Sequence, residues 1–337
     1  MQLATERLVL RPPTHADAAA MVAYYNDPEI AAMQDWDLPQ TLERVVRHID
    51  ECAALGGPTP GAWMNLVIEA DGECTGHVAC HLDPTSSVAE VGYTLAREHW
   101  GKGYASEALD ELLNHLIATT SVHRFVASLD PNNVRSMRVL ERAGFLFESL
   151  SERSYPMRGG WEDDLRYAMT RQQREAWIGR TTAPPTTVEL VEVTAADCHL
   201  WEDVRTHHSE VRFVRPLTRT FRDLAFSPLL DGVQSTPVLR GVLADGERVG
   251  TVFWSAASPE QPETYLWRLI VDRLHQRRGI GRRIITELQQ QLQHAGEASM
   301  TVSYLLGPGS PERFYAGLGF VATGRMRGPE VEARLSW

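Results

Sequence analysis

Two short glycine-bearing turns are the places in this chain where residue type and spacing point most directly to chemistry. Gln276-Arg277-Arg278-Gly279-Ile280-Gly281 follows the apolar run Leu266 to Val271 and directly precedes a segment with apolar residues at helical spacing. Glycines at such a junction let the backbone turn tightly, and the unpaired N–H groups of the helix's first turn, backed by the helix dipole, attract an anion. A pyrophosphate fits that donor set. Glu98-His99-Trp100-Gly101-Lys102-Gly103-Tyr104-Ala105-Ser106-Glu107-Ala108 sits at a second junction of the same kind. Arg277, Arg278, Arg282 and Arg283 would pass for a nucleic-acid patch in isolation, but beside this turn they read as attracting the phosphates of a ligand. Other clusters carry less. His207-His208 is adjacent rather than spaced i,i+4 and has no third ligand nearby, so it reads as a solvated helix end and no metal is expected. Glu162-Asp163-Asp164 either lines the entry of a cation or is a solvated hairpin.

The elements that must position these turns recur in order. Arg7 to Leu10 predicts a short strand, Thr14 to Asn26 a helix behind a capping threonine, and Leu42 to Leu55 a second helix. Ala62 to Ala70, Glu73 to Leu82 and Ala89 to Leu95 predict three strands, the first two joined by the tight turn Asp71-Gly72. Gly101 to Thr120 predicts a helix, Phe125 to Leu129 a strand, Asn133 to Ala143 a helix, and the segments near Phe145 and Leu165 two closing strands. The order is βααβββαβαββ, an α/β fold of the α+β type: a mixed, mostly antiparallel sheet flanked by helices.

From residue 176 to 187 the pattern stops, and Thr181-Thr182-Ala183-Pro184-Pro185-Thr186-Thr187 predicts a stiff, extended linker. The expected domains are therefore 1–175 and 188–337. Beyond the linker the order restarts: a strand at Val188 to Val193, helices at Ala195 to Thr206 and Leu217 to Phe226, and a hairpin across Asp245-Gly246. A strand from Thr264 to Val271, a helix from Gly279 to Gln293, a strand from Ser299 to Tyr304, a short helix from Pro311 to Gly317 and two final strands follow. Gly101 lies 43 positions before Gly144-Phe145, and Gly279 lies 40 before Gly319-Phe320. Two tandem copies of one fold are expected.

The spacing Q-x-x-G-x-G at Gln276, Gly279 and Gly281 resembles motif A of the GNAT superfamily of N-acetyltransferases, and Phe314-Tyr315-Ala316-Gly317-Leu318-Gly319-Phe320 resembles its motif B. A dinucleotide-binding reading fits less well, because that fold wants G-x-G-x-x-G opening a βαβ unit with an acid about 20 positions on. The first half resembles the Rim-type enzymes that acetylate ribosomal-protein N-termini. Its further matches are Thr5-Glu6-Arg7-Leu8-Val9-Leu10-Arg11, Glu90-Val91-Gly92-Tyr93, Asn133-Val134-Arg135-Ser136 and Arg142-Ala143-Gly144-Phe145, with Glu98 a departure where the superfamily favours Gln or Arg. In the second half Tyr265-Leu266-Trp267-Arg268-Leu269-Ile270-Val271-Asp272 resembles bacterial diamine or spermidine acetyltransferases. The resemblance implies acetyl-CoA as the acetyl donor. It implies coenzyme binding by Trp100, Gly101, Lys102, Gly103, Tyr104, Ala105 and Asn133, and by Gln276, Arg277, Arg278, Gly279, Ile280, Gly281, Arg282 and Arg283.

Amine acetylation needs a neutral amine, so an ammonium with a pKa of roughly 10 must first lose a proton. The leaving thiolate then profits from a proton donor, and backbone amides stabilise charge developing on the thioester oxygen. Glu90, 11 residues before Gly101 on the strand expected to flank the thioester, is the candidate base; the competing reading is a strand-edge carboxylate paired with a basic neighbour. By resemblance Ser136 is the candidate proton donor of the first half, or else a helix residue against the pantetheine, and Tyr315 that of the second, or else a core residue. Counting 11 back from Gly279 reaches Arg268, so the second half lacks that acid and Glu263 or a water relay would have to substitute. Leu140 stands at the position of Tyr315, and Pro311 at that of Ser136.

Composition bounds the rest. A length of 337 residues suits two domains, and 43% hydrophobic with 23% charged residues excludes disordered and fibrous classes. The formal net charge of -11 and pI near 5.6 argue against nucleic acid as the partner and suit a cationic amine. Cys52, Cys74, Cys80 and Cys198 have neither zinc-like spacing nor the density of a secreted scaffold. With no signal pattern and no membrane-length apolar run, a cytoplasmic protein is expected, as a monomer with an internal pseudo-dimer or as a homodimer. The expected function is acetylation of a primary amine of a small molecule such as a polyamine, an amine-bearing antibiotic or a metabolite. The alternatives are protein N-terminal acetylation, or acetyl-CoA binding as a sensor or scaffold with one or both halves inactive.

Overall fold

The computed structural model describes residues 1–157 and 159–337. Its contacts divide the chain into Met1–Gly179 and Arg180–Trp337. In the first unit the elements are β1 Leu3–Ala4, β2 Val9–Arg11, α1 Ala18–Tyr25, α2 Pro28–Ala31, α3 Leu42–Leu55, β3 Trp63–Ala70, β4 Glu73–Leu82 and β5 Val88–Leu95. There follow α4 Tyr104–Thr119, β6 Arg124–Leu129, α5 Val134–Arg142, β7 Leu146–Met157, β8 Gly160–Thr170 and α6 Arg171–Gly179. The sheet runs β1-β2-β3-β4-β5-β6-β8-β7, and β5 with β6 is its parallel pair. One face is covered by α4, whose Ala105, Ala108, Leu109, Leu112, Leu113 and Leu116 recur at helical spacing and are all buried. The other carries α1 and α3, joined to it through a second cluster around Met21, Tyr24 and Ile49.

The second unit comprises β9 Val188–Glu192, α7 Leu217–Ala225, the small hairpin β10 Leu229–Leu230 with β11 Val233–Gln234, β12 Thr236–Ala244, β13 Glu247–Ala256 and β14 Thr264–Val271. Then come α8 Ile280–His294, β15 Ser299–Tyr304, α9 Glu312–Ala316, β16 Val321–Arg327 and β17 Glu330–Ser336. Its sheet order, β9-β12-β13-β14-β15-β17-β16, is that of the first unit from β2 onward, with β14 and β15 as the parallel pair in the same place. Helix α8 buries Ile280, Ile284, Ile285, Leu288 and Leu292 against it.

Two expectations need correction. The connection predicted from residue 176 begins inside α6, because Trp177 is buried and its indole N–H donates to the Arg142 carbonyl while Arg174 Nη1 donates to the Ala143 carbonyl. The helix predicted over Ala195 to Thr206 is only a single 3-10 turn, Cys198–Trp201. The Thr194 amide and hydroxyl donate to the Asp197 carboxylate, which starts a turn as at any helix N-terminus, but the Arg205 amide donates to the Asp272 carboxylate instead of to a carbonyl one turn back, so the helix does not continue.

A repeated glycine sets the spacing of the central strands. A Cβ on Gly76 of β4 would lie 2.1 Å from the Thr94 carbonyl oxygen, and one on Gly250 of β13 would lie 2.3 Å from that of Ile270. Each glycine follows its hairpin glycine, Gly72 or Gly246, by four residues, and lets the neighbouring strand approach where it leads into the glycine-bearing turn. Gly76→Ala is expected to destabilise the first unit by about 1–3 kcal/mol. Gly92→Ala, where a Cβ meets nothing within 4 Å, is expected to change stability by less than about 0.5 kcal/mol. Denaturant unfolding of the full chain measures both.

Candidate functional site

The two turns share one backbone geometry. Gly103 caps α4 at φ 86° and Gly279 caps α8 at φ 78°, both left-handed; two residues earlier Gly101 and Arg277 are left-handed too, at φ 77° and 66°. Gly103, rather than Gly101, is therefore the counterpart of Gly279, and Gly103 to Gly144 spans 41 positions against 40 for Gly279 to Gly319. Side chains agree with the backbone. Trp100 Nε1 donates to the Leu95 carbonyl at 2.9 Å, and Gln276 Nε2 donates to the Val271 carbonyl at 3.3 Å, each tying the residue three before the cap to the residue eight before it. Glu98 is thus no departure from the motif, because Trp100 occupies the glutamine position. For Arg277 a left-handed backbone costs about 1 kcal/mol, which the turn imposes and a glycine would relieve. The first-turn amides around Tyr104 and Ala105, and around Ile280 and Gly281, form the donor set that a pyrophosphate requires.

The arginines and polar residues expected to hold phosphates divide into two groups. Arg278 is buried, donating through Nε to the Ala183 carbonyl and through Nη1 to His275 Nδ1. Arg283 Nη1 donates to the Pro185 and Thr186 carbonyls, and Arg282 Nη2 to that of Gly317. Those three are engaged in holding the chain, and Arg277 is exposed at the turn. The first unit solves the same problem with opposite charge. Glu107, at the position of Arg283, takes hydrogen bonds from Thr5 and Arg7, and Arg7 Nη1 also donates to the Lys102 carbonyl. Sequence reasoning missed Arg7 and Glu107 as turn supports, although the Thr5-Glu6-Arg7-Leu8 run was visible. Asn133 serves as the cap of α5, its Oδ1 accepting from the Ser136 amide.

Each parallel pair holds together for only three residues. In the first unit Val88, Ala89 and Glu90 pair with Arg124, Phe125 and Val126; in the second Thr264, Tyr265 and Leu266 pair with Met300, Thr301 and Val302. Beyond Glu90 the strands part toward the turn, leaving a wedge whose apex carries its half-buried carboxyl. Burial raises that carboxyl's pKa, Arg166 and His81 oppose the rise, and Asp164 and Asp35 add to it. Asp35 also accepts a hydrogen bond from Tyr155, bridging the α2–α3 loop to β7. Of the acidic run, Glu162 is exposed and Asp163 accepts from the Arg153 amide, so only Asp164 bears on Glu90. Counted from the true cap, the residue matching Glu90 is Leu266 rather than Arg268. Leu266 lies in the core under α8, while Arg268 is bound to Asp223 at 2.5 Å. Glu263 is tied to Arg334 and Ser299 and offers no free base.

The two candidate proton donors sit differently. Ser136 is in the first turn of α5, and its carbonyl accepts from Tyr93 of β5 at 2.9 Å, which fixes this turn against the wedge strand. Tyr315 is buried, stacked on Tyr304 at 5.6 Å with Phe314 and Phe320 edge-on, and burial pushes its phenol pKa up. His207 and His208 border a 3-10 turn, and no group of three metal-ligating side chains occurs among the described residues.

Comparison with known proteins decides the family. Residues 7–146 and residues 240–322 each match a model described as an acetyltransferase (GNAT) domain, together more than half of the chain. The chain belongs to the GNAT acetyltransferases. It carries two such domains in tandem and is an acyl-CoA-dependent acetyltransferase by family. An N-acetyltransferase of Bacillus licheniformis, p20, is 27% identical over 176 residues, covering 51% of this chain and 97% of that protein. The ribosomal-protein-serine acetyltransferase of Escherichia coli K12 is 31% identical over 87 residues, 26% of this chain and 49% of that enzyme. Among solved structures, a GNAT-family acetyltransferase from Bacillus anthracis is 25% identical with a TM-score of 0.45, covering 51% of this chain and 99% of that one. The match over residues 240–322 is to the family as a whole and carries no diamine or spermidine specificity.

A carboxyl whose pKa is raised on folding has a definite effect on stability. It binds its proton more tightly in the folded state, so its stabilising contribution is complete below the unfolded value, 4.5, and is lost as pH rises through the folded value. Glu90 therefore opposes folding at neutral pH relative to an uncharged side chain. Glu90→Gln is expected to raise the unfolding midpoint of the first unit at neutral pH, with the gain closing as the pH falls below the ordinary carboxylate range. Chemical unfolding followed as a function of pH checks the sign.

Proposed function

We propose that the chain transfers the acetyl group of acetyl-CoA to a primary amine of a small molecule: a polyamine, an amine-bearing antibiotic or a metabolite. Glu90 carries this reading: a half-buried carboxyl at the apex of the strand wedge, with Asp35 and Asp164 near enough to raise its pKa and so to favour a cationic acceptor. In each unit the glycine turn would hold the coenzyme's pyrophosphate through the amides of Gly101 to Ala105 and of Arg277 to Gly281. The thioester supplies the activated acetyl group. Glu90 takes a proton from the incoming ammonium, Ser136 stands on the turn that would face the departing sulfur in the first unit, and Tyr315 has that role in the second. All four cysteines are free, which suits a reducing compartment such as the cytoplasm. No helix among the described residues is long and apolar enough to cross a membrane.

Protein N-terminal acetylation is the second reading, favoured by the ribosomal-protein-serine acetyltransferase relative. Thiol release from acetyl-CoA, followed across polyamines, aminoglycosides and short peptides with free N-termini, separates the two. Turnover of small amines without peptides is expected; turnover of peptides alone would replace the proposal with the second reading, and coenzyme binding without turnover would make the protein a sensor. Calorimetric titration is expected to find two coenzyme sites per chain, and a stoichiometry of one would show that one turn is incompetent.

A further inference from the structure

Leu266 leaves the second unit without an acid on its wedge strand, yet the opposite face of that strand carries a connected chain of hydroxyls ending in a carboxylate. A register shift between Phe253 and Trp254 makes Trp267 an extra residue in β14. This turns Leu266 into the core beside Val252 and Val302 and puts Tyr265, one position before it, on the other face. Tyr265 pairs with Thr301 in the middle of the three-residue parallel stretch, one position before the apex of the wedge. Its hydroxyl is 2.5 Å from Ser303 Oγ on β15, and Ser303 Oγ donates to Glu330 Oε2 on β17. Because the single serine proton is committed to Glu330, the Tyr265 hydroxyl donates to Ser303 and keeps an oxygen lone pair for an incoming group.

Around the Tyr265 ring, itself buried, stand a guanidinium and an unsatisfied indole donor. The Arg327 guanidinium lies 4.8 Å from the centre of the Tyr265 ring and is itself paired with Asp231 and Glu332. Trp267 stands edge-on to Tyr265 at 4.8 Å, and its buried indole Nε1 has no hydrogen-bond partner among the described residues. A buried donor left in this way is costly unless a ligand satisfies it. Glu330 is half-buried and opens to solvent at the β16–β17 turn.

We propose that Tyr265, Ser303 and Glu330 form the proton-accepting relay of the second unit, doing there with a hydroxyl chain what Glu90 does alone in the first. This rests on the acetyltransferase reading of the site. The acceptor's ammonium gives one proton to the Tyr265 oxygen as the tyrosine proton moves to Ser303 and the serine proton to Glu330. The freed amine attacks the thioester carbonyl: the N–C bond forms, the C–S bond breaks, and the second nitrogen proton departs with the sulfur as the thiol. Glu330 then releases its proton to solvent, so one acetyl-CoA and one ammonium yield one amide, one thiol and one proton.

The test uses the full chain carrying Gly103→Val, a side chain that the left-handed cap of α4 at φ 86° does not accept and that closes the first unit's coenzyme turn to both probes, with acetyl-CoA and two probe acceptors. 1,4-Diaminobutane, whose amines have pKa values of roughly 10, is an ammonium at both ends at neutral pH and needs the relay; hydroxylamine is already largely neutral and does not. Tyr265→Phe and Glu330→Gln, each added to that chain, are expected to slow transfer to 1,4-diaminobutane by roughly 10²-fold while transfer to hydroxylamine and coenzyme affinity stay unchanged. Equal losses with both probes would reduce the chain of hydroxyls to a structural tie between strands and overturn the relay, as would no loss with either. If the Gly103→Val chain transfers to neither probe while the unsubstituted chain does, the second unit is silent and the relay falls. If the unsubstituted chain transfers to neither, the proposed function falls first and the relay with it.

Discussion

Each unit depends on a backbone constraint only a few residues long: a strand must end, reverse through two left-handed residues, and enter a helix whose first amides remain unpaired. Gly101 with Gly103, and Arg277 with Gly279, meet it. Ahead of the reversal β5 leaves β6, and β14 leaves β15, after three paired residues, and the wedge opens there. The helix N-terminus and the wedge together offer the donor set and the cleft in which, as proposed, a pyrophosphate, a thioester and an amine would meet. The glycines at Gly76 and Gly250 serve the same end, since a side chain there would force the wedge strand off its neighbour just before the turn.

Around that shared constraint the two units have diverged in charge. The segment entering the first strand is tied to the helix by Glu107 accepting from Arg7 in one unit, and by Arg283 donating to the Pro185 and Thr186 carbonyls in the other. Either arrangement fixes the same backbone, because a helix surface and an incoming strand can be joined by a donor or an acceptor on either side. At the wedge the first unit uses carboxylates, Glu90 with Asp35 and Asp164 near it. The second buries Leu266 and pairs Arg268 with Asp223. A bulge of one residue accounts for much of this: it reverses which side chains of β14 face the core and which face the cleft, so a one-to-one reading of the two strands fails there.

Much of this was legible in the residues. Helix α3 and strands β4, β14 and β15 fall at their expected boundaries, because apolar periodicity and the hairpin pairs Asp71-Gly72 and Asp245-Gly246 are local signals. The helix expected at Ala195 to Thr206 stops after one 3-10 turn because the Arg205 amide is taken by Asp272, 67 residues away. The equivalence of the turns was misjudged by two residues, since Gly101 and Gly279 look alike in a string of letters while left-handed φ values and the hydrogen bonds of Trp100 and Gln276 match Gly103 to Gly279.

By itself the sequence determined that the chain carries two copies of one fold, where each makes its glycine-bearing turn into a helix, and that a carboxylate stands 11 residues before the first turn's glycine but not the second's. These are properties of local spacing, and spacing survives without coordinates. Only the tertiary structure decided which arginines face the chain rather than a ligand, that Glu90 is half-buried among other acids, and that Tyr265, Ser303 and Glu330 meet from three different strands. Burial and hydrogen bonding join residues far apart in the chain, and no pattern of neighbours in a sequence records them.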